Sequence, residues 1–261
     1  MSKKKQKAKA FAYGAGTFLL LVFLWEMAVR MTDSQIPFPT PSAVIERFTA
    51  MLFHNVGYYY TIVGHVLWSL SRVLAGFCMA AVLGIVLGLT MGWFPYVRAI
   101  FIPIFNLLRP IAPLAWIPLA ILWFGIGEKY KYFLIFIAAF VPFTLNSYAG
   151  ATHVDKQLVG AAKMLGANNA QVFFEIVVPA AVPSIFSGAQ VALSNSWMTM
   201  LAAEMVCATE GIGWIIIAGQ AVNDMTQMIA GMLAIGIVGF LLANGMRLLE
   251  RRCLVWNNQG N

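Results

Sequence analysis

Six stretches of this chain are long enough and apolar enough to cross a lipid bilayer, and no other feature constrains its fold as tightly. A spanning helix needs roughly 20 consecutive, mostly apolar residues. Such stretches fall at about 11–31, within 61–92, and at about 97–124, 131–150, 183–203 and 228–249. Charged residues make up 10% of the chain, against roughly 25% of a soluble domain. A water-solvated core cannot hide so much apolar surface. The expected fold is an all-α polytopic membrane protein with six transmembrane helices and the lipid bilayer as its solvent.

The charges set an expected orientation. Five of the 17 Lys and Arg residues lie in the first nine, MSKKKQKAK, and Arg247, Arg251 and Arg252 close the last span. Basic clusters flanking spans favour the cytoplasmic side. The net charge of +7 therefore reads as topology and lipid-headgroup charge, with no nucleic-acid partner expected. Six spans place both termini in the cytoplasm and put 151–182 there too. The 204–227 segment, with Glu204, Glu210, Asp224 and no Lys or Arg, lies outside. Lys129 and Lys131 fall outside as well, against the trend. No small-x-small cleavage site follows the first apolar run, so it is expected to be a retained span.

Between the first two spans, Pro37, Pro39 and Pro41 forbid a continuing helix. Ser42 then starts an amphipathic piece, with Val44, Ile45, Phe48, Met51 and Leu52 apolar, expected to lie in the membrane interface. The second span carries Gly76, Ala80, Gly84, Gly88 and Gly92 at a strict spacing of four, a face for close helix packing. Pro103, Pro110, Pro113 and Pro118 interrupt the third span, which must be kinked or broken. The 204–227 segment holds an apolar helix too short to span.

One half-polar stretch stands apart, GAAKMLGANNAQVFFEIVVP at 160–179. Asp155 can cap a helix start, Gly166 can end that helix in the left-handed conformation, and Asn168 can cap a second helix that Pro179 follows. Two short helices joined at a glycine then protrude from the membrane. Gly160, Ala161, Ala162, Gly166 and Ala167 expose small surfaces that let another protein's backbone come close. This is the shape of a docking knob.

The stretch resembles the EAA loop of type I ABC importer permeases, the membrane components of binding-protein-dependent transport. Ala161, Ala162, Gly166, Ile176 and Pro179 match the family spacing, while Gly160 replaces the usual Glu and Val178 the usual Leu. PTPSAV, SLSRVLAGF, LRPIAPLAWIPLAILWFGIGE, SWMTMLAAEM and EGIGW extend the resemblance over about 37–252, toward the subfamily handling sulfonates, taurine, nitrate and bicarbonate and some thiamine or riboflavin precursors. The resemblance implies a homodimeric permease of the bacterial cytoplasmic membrane, with a cytoplasmic coupling-helix loop. It implies an ABC ATPase dimer docked at that loop, carrying ATP and Mg, and an extracytoplasmic solute-binding protein outside. The expected solute is small and anionic, with a thiamine- or riboflavin-precursor type as the alternative. The chain divides into an N-terminal tail and first span at 1–36, a permease core at 37–252 and a C-terminal cytoplasmic tail at 253–261.

No catalytic site is expected. The chain has no Gly-Lys dipeptide and hence no Walker A phosphate loop. His54, His65 and His153 are scattered, and Cys78, Cys207 and Cys253 show no paired spacing, so no metal or cofactor site is read. A secondary transporter needs an internal repeat and embedded carboxylates. No repeat is evident, and Glu26 is the only acid well inside an expected span. Candidates for the translocation path are Asn106 and Arg109 in the broken third span and Ser194, Asn195, Trp197, Thr199 and Met200 in the fifth. A membrane arginine is costly, so Arg109 either aids an anionic solute or satisfies the carbonyls that prolines leave free. Arg72 reads as structural, and Glu204 as solvated or in contact with the binding protein.

Overall fold

The computed structural model describes residues 3–31, 38–57 and 60–254, with the side chains of 3–12, 15 and 18 left aside. Pro37 and the expected tail from 255 onward lie outside the described residues. Secondary structure among the described residues is helical apart from one isolated bridge between Val56 and Tyr60. In lipid that follows from backbone chemistry, because a helix satisfies its own N–H and C=O groups.

The helices, in chain order, are α1 (Lys3–Met31), α2 (Pro41–Phe53), α3 (Ile62–Trp93), α4 (Pro95–Leu108), α5 (Ile117–Phe124), α6 (Glu128–Thr152), α7 (Lys156–Met164), α8 (Asn169–Gln171), α9 (Val178–Cys207), α10 (Ile212–Ala221) and α11 (Met225–Cys253). Among the described residues, α3, α6, the stretch Asn169–Ala221 containing α9, and α11 are long and apolar enough to cross a membrane, and the bent pair α4–α5 makes a fifth span if counted as one. The six expected spans are therefore not all accounted for. The stretch read as the first one forms α1, whose leading side chains are not described.

The third expected span breaks once. Pro103 is accommodated inside α4, whereas the chain turns between Leu108 and Pro113, bending the pair by 87°. Pro110 and Pro113 remove two donors there, and Ala112 takes the extended backbone (ψ 136°) that a residue before proline prefers.

The chain forms two compact units, Met1–Val63 with Ile215–Ala234, and Gly64–Trp214 with Ile235–Asn261. In the first, Thr40 caps α2 with Pro41 at its opening turn. Val44 and Met51 are buried while Ile45 is exposed, so only part of the expected apolar stripe meets protein. Glu26 accepts from the Ser42 hydroxyl at 3.1 Å and pairs with Arg30 at 2.7 Å, which explains an acid inside the first apolar run. Arg47 joins Asp224 at 3.0 Å and Gln227 at 3.1 Å.

The second unit is built on α6. The small-residue stripe of α3 lies against it: a Cβ on Gly76 would stand 2.6 Å from Ile135, one on Gly84 2.8 Å from Phe143, and those on Gly88 and Gly92 would strike Thr144 and Ala151. On another side α9 packs as closely, with Gly150 against Ala181 and Ser184 and Gly188 against Asn146. Ala80, Ala139, Phe143, Ala189 and Ala192 form the core between these helices. The α3 stripe is thus spent inside this chain and offers no free face to a second copy.

Candidate functional site

The docking stretch is assembled by local signals. The Asp155 carboxylate accepts from the Gln157 N–H at 2.8 Å and opens α7. At its end Gly166 takes φ +89°. The Gly166 N–H donates to the Lys163 carbonyl and the Ala167 N–H to the Ala162 carbonyl, both at 3.0 Å, the two bonds of a Schellman cap. Asn168 and Gln171 then form a reciprocal capping box.

The second arm differs from the expected short helix. It widens into a π-helical turn over Val172–Val177 and runs on as α9, through Pro179 and Pro183. Val178 N–H donates to the carbonyl five residues back, at Phe173. This wider turn carries the chain past Pro179, which has no N–H to give. The docking stretch is therefore one free helix, α7, joined at Gly166 to the root of α9.

Ala161 and Pro179 are exposed, and Gly160, Ala162, Ala167 and Ile176 half-buried. A Cβ on Gly160 meets nothing within 4 Å. The sequence reading missed the larger apolar residues on the same surface: Leu158, Met164 and Leu165 project from α7, the last two 86% and 89% exposed. Exposed apolar side chains grouped in this way are the usual mark of a protein–protein or membrane contact surface.

The path candidates separate into two cavities. Asn106, Arg109 and Asn195 line a cavity of about 840 Å³ together with Asn146, Trp116, Phe133 and Phe136. Asn146 donates an amide N–H to the Pro142 carbonyl at 2.8 Å. Arg109 is exposed, and its guanidinium has no carboxylate or carbonyl partner among the described residues. It thus does not brace the carbonyls freed by the neighbouring prolines. Ser194 and Trp197 face away, into a second cavity of about 280 Å³ between α9 and α11. Thr199 and Met200 are buried and line neither cavity. Adjacent helix residues point about 100° apart, which sends Ser194 and Asn195 to different sides of α9.

A third arrangement lies at the far end of α9 from the hairpin. Glu204 is buried and accepts from the Ser69 hydroxyl at 2.8 Å, the Arg72 guanidinium at 2.8 Å and the Gly213 N–H at 3.0 Å. Arg72 also grips Glu128, which Lys131 meets at 2.8 Å. The Ile212 N–H donates to Ser69 and the Gly211 N–H to His65, each at 3.0 Å. Glu204 is therefore neither solvated nor on the surface, contrary to both readings of it. It lies inside α9, which runs on past the expected end of the fifth span. Lys131, which ran against the charge trend, is neutralised by Glu128. Cβ atoms on Gly211 or Gly213 would overlap the Glu204 side chain, so EGIGW carries glycine where this carboxylate lies.

The family described as binding-protein-dependent transport system inner membrane component matches residues 80–254. The chain is 35% identical over 241 residues to the taurine transport system permease protein TauC of Escherichia coli K12, covering 92% of this chain and 88% of that protein. It is 32% identical to the nitrate import permease protein NrtB of Synechocystis, over 95% and 93% of the two chains. Among solved structures, a chain of the inward-facing methionine ABC transporter MetNI superposes with a TM-score of 0.63 at 17% identity, covering 73% of this chain and 95% of that one. The likeness places the chain in the same fold.

Proposed function

This chain belongs to the family of binding-protein-dependent transport system inner membrane components, and from that premise we propose that it forms the path by which an ABC importer admits a small anionic solute. One observation carries the solute assignment. Arg109, a cation with no ion-pair partner among the described residues, lines a cavity of about 840 Å³ beside Asn106, Asn146 and Asn195. That volume lies within the usual range of small-molecule sites, about 300–1,000 Å³. The relatives named for taurine and nitrate carry anionic groups to which such a cation is complementary. The amide side chains beside it offer hydrogen bonds without adding a competing negative charge.

The surrounding machinery follows in the same reading. The α7–Gly166 hairpin receives the ATP-hydrolysing subunit, which holds ATP and Mg, and Leu158, Met164 and Leu165 fill its groove. The hairpin and both termini face the cytoplasm of a bacterium. The opposite end of α9, with Glu210 near it, meets the solute-binding protein, and two copies of this chain enclose the path. Arg109→Gln tests the assignment. In vesicles holding permease, ATPase and binding protein, the variant should assemble and hydrolyse ATP normally while uptake falls by about tenfold or more, the scale of one lost charged hydrogen bond. Loss of assembled complex, with normal uptake per surviving complex, would make Arg109 a structural residue.

A further inference from the structure

We propose that the π-helical turn Val172–Val177, with Pro179 behind it, is a hinge that changes backbone register when the α7 knob is moved by its partner, an inference that rests on reading the knob as the ATPase dock. The backbone supplies the first argument. In an α-helix the Glu175 carbonyl would take its N–H from position 179, where proline has none to give and its ring crowds that carbonyl. In the π register the Val178 N–H goes to the Phe173 carbonyl, and it is the Phe174 carbonyl that faces position 179 without a donor. Neither register completes its hydrogen-bond ladder at Pro179, so the usual advantage of the α register is lost there.

The side chains supply the second. Val172 and Val177, five residues apart, are 0% and 1% exposed. Val177 packs with Leu89 of α3 and Ala151 of α6, and Phe173 meets Trp93 with ring centroids 5.7 Å apart. In the α register residues four apart share a face, which pairs Val172 with Ile176 and Phe173 with Val177. All of these are apolar, so VFFEIVV offers an apolar face in either register. Such turns recur at functional sites, and hinges are short segments that absorb a backbone change.

Position in the chain supplies the third. Beyond the turn α9 is seated on α6: a Cβ on Gly150 would stand 2.8 Å from Ser184, and one on Gly188 2.6 Å from Asn146. At its far end the Tyr130 hydroxyl donates to the Ala203 and Cys207 carbonyls, both at 2.9 Å, and Glu204 holds Ser69 and Arg72. Before the turn, α7 has no buried residue. A push on the knob therefore reaches 172–180 before it reaches the seated helix. One residue of register moves the chain by about 1.5 Å along the helix axis.

The test is hydrogen–deuterium exchange on the full permease assembled with its ATPase, compared without nucleotide and with ATP and vanadate. In wild type the exchange rate of the 172–178 amides should change by about fivefold, the scale of one backbone hydrogen bond, while 156–164 and 185–203 stay as they were. Pro179→Ala restores a donor to the Glu175 carbonyl and favours the α register. It should erase the nucleotide-dependent change and lower uptake per ATP hydrolysed, measured per assembled complex, by a similar factor. Pro183→Ala, which adds a donor where α9 is already seated on α6, should behave as wild type does. Wild-type exchange that ignores nucleotide, or that changes equally over α7 and 172–178, overturns the hinge while leaving the dock in place. So does Pro179→Ala with wild-type uptake per ATP. Wild-type permease that retains no ATPase overturns the docking reading and the hinge with it. The wild-type comparison needs no variant, so it decides the matter even if Pro179→Ala assembles poorly.

Discussion

Arg72 and Glu204, 132 residues apart in sequence, meet through a 2.8 Å hydrogen bond with side chains 3% and 0% exposed. With Ser69, Glu128 and the 211–213 backbone they tie α3, the start of α6 and the end of α9 together. Removing one partner of a buried ion pair leaves the other uncompensated and costs about 3–5 kcal/mol. Arg72→Met and Glu204→Gln should each lower the melting temperature in detergent sharply. The double variant should lose less than the two losses summed. A strictly additive cycle would show that the two side chains do not depend on each other.

Gly166 and Gly160 should respond in opposite ways. At φ +89° a β-branched residue is strained, by roughly 1–3 kcal/mol. Gly166→Val should distort the Schellman cap and re-aim α7. Because the hairpin is exposed, the bundle should melt nearly as wild type does, while ATPase recovered on a tagged permease falls. Gly160→Glu, entering open space, should change stability by less than about 0.5 kcal/mol and leave ATPase recovery at least at the wild-type level. Full ATPase recovery with Gly166→Val places the dock elsewhere.

The α3 stripe gives a packing prediction. Gly84→Leu drives a side chain into Phe143 and Gly88→Leu one into Ser147. Overpacking of this kind costs about 1–3 kcal/mol. Both variants should melt earlier than wild type in detergent, whereas Gly236→Leu, where a Cβ meets nothing within 4 Å, should not. Because α6 is the neighbour, the loss should not depend on protein concentration. A concentration-dependent loss would mean that this face packs a second copy.

The parts legible in the sequence were those encoded by neighbours. Asp155, Gly166 and Asn168 each act on backbone groups within a few residues, so their roles could be read from spacing alone. The α3 stripe was equally visible because its period of four is local, although which helix it meets was not. What escaped depended on distance or on backbone detail. Nothing near Glu204 in the chain announces Ser69 or Arg72. The π-helical turn before Pro179 depends on one carbonyl choosing a donor five residues on. SNSWMT read as one polar cluster, yet the helix sends Asn195 to one cavity and Ser194 and Trp197 to another.

The Glu204 side chain occupies the room that side chains at 211 and 213 would need, and its carboxylate takes the Gly213 N–H. These three positions cannot drift independently over generations. A lineage that lost the acid would leave the Gly213 donor without its acceptor and Arg72 with Glu128 as its remaining carboxylate partner, and two glycines with nothing to make way for. A lineage that gained a side chain at 211 first would have to expel the acid. Acid and glycines should therefore be inherited as a set, with intermediate combinations rare among descendants, and Arg72 should travel with them.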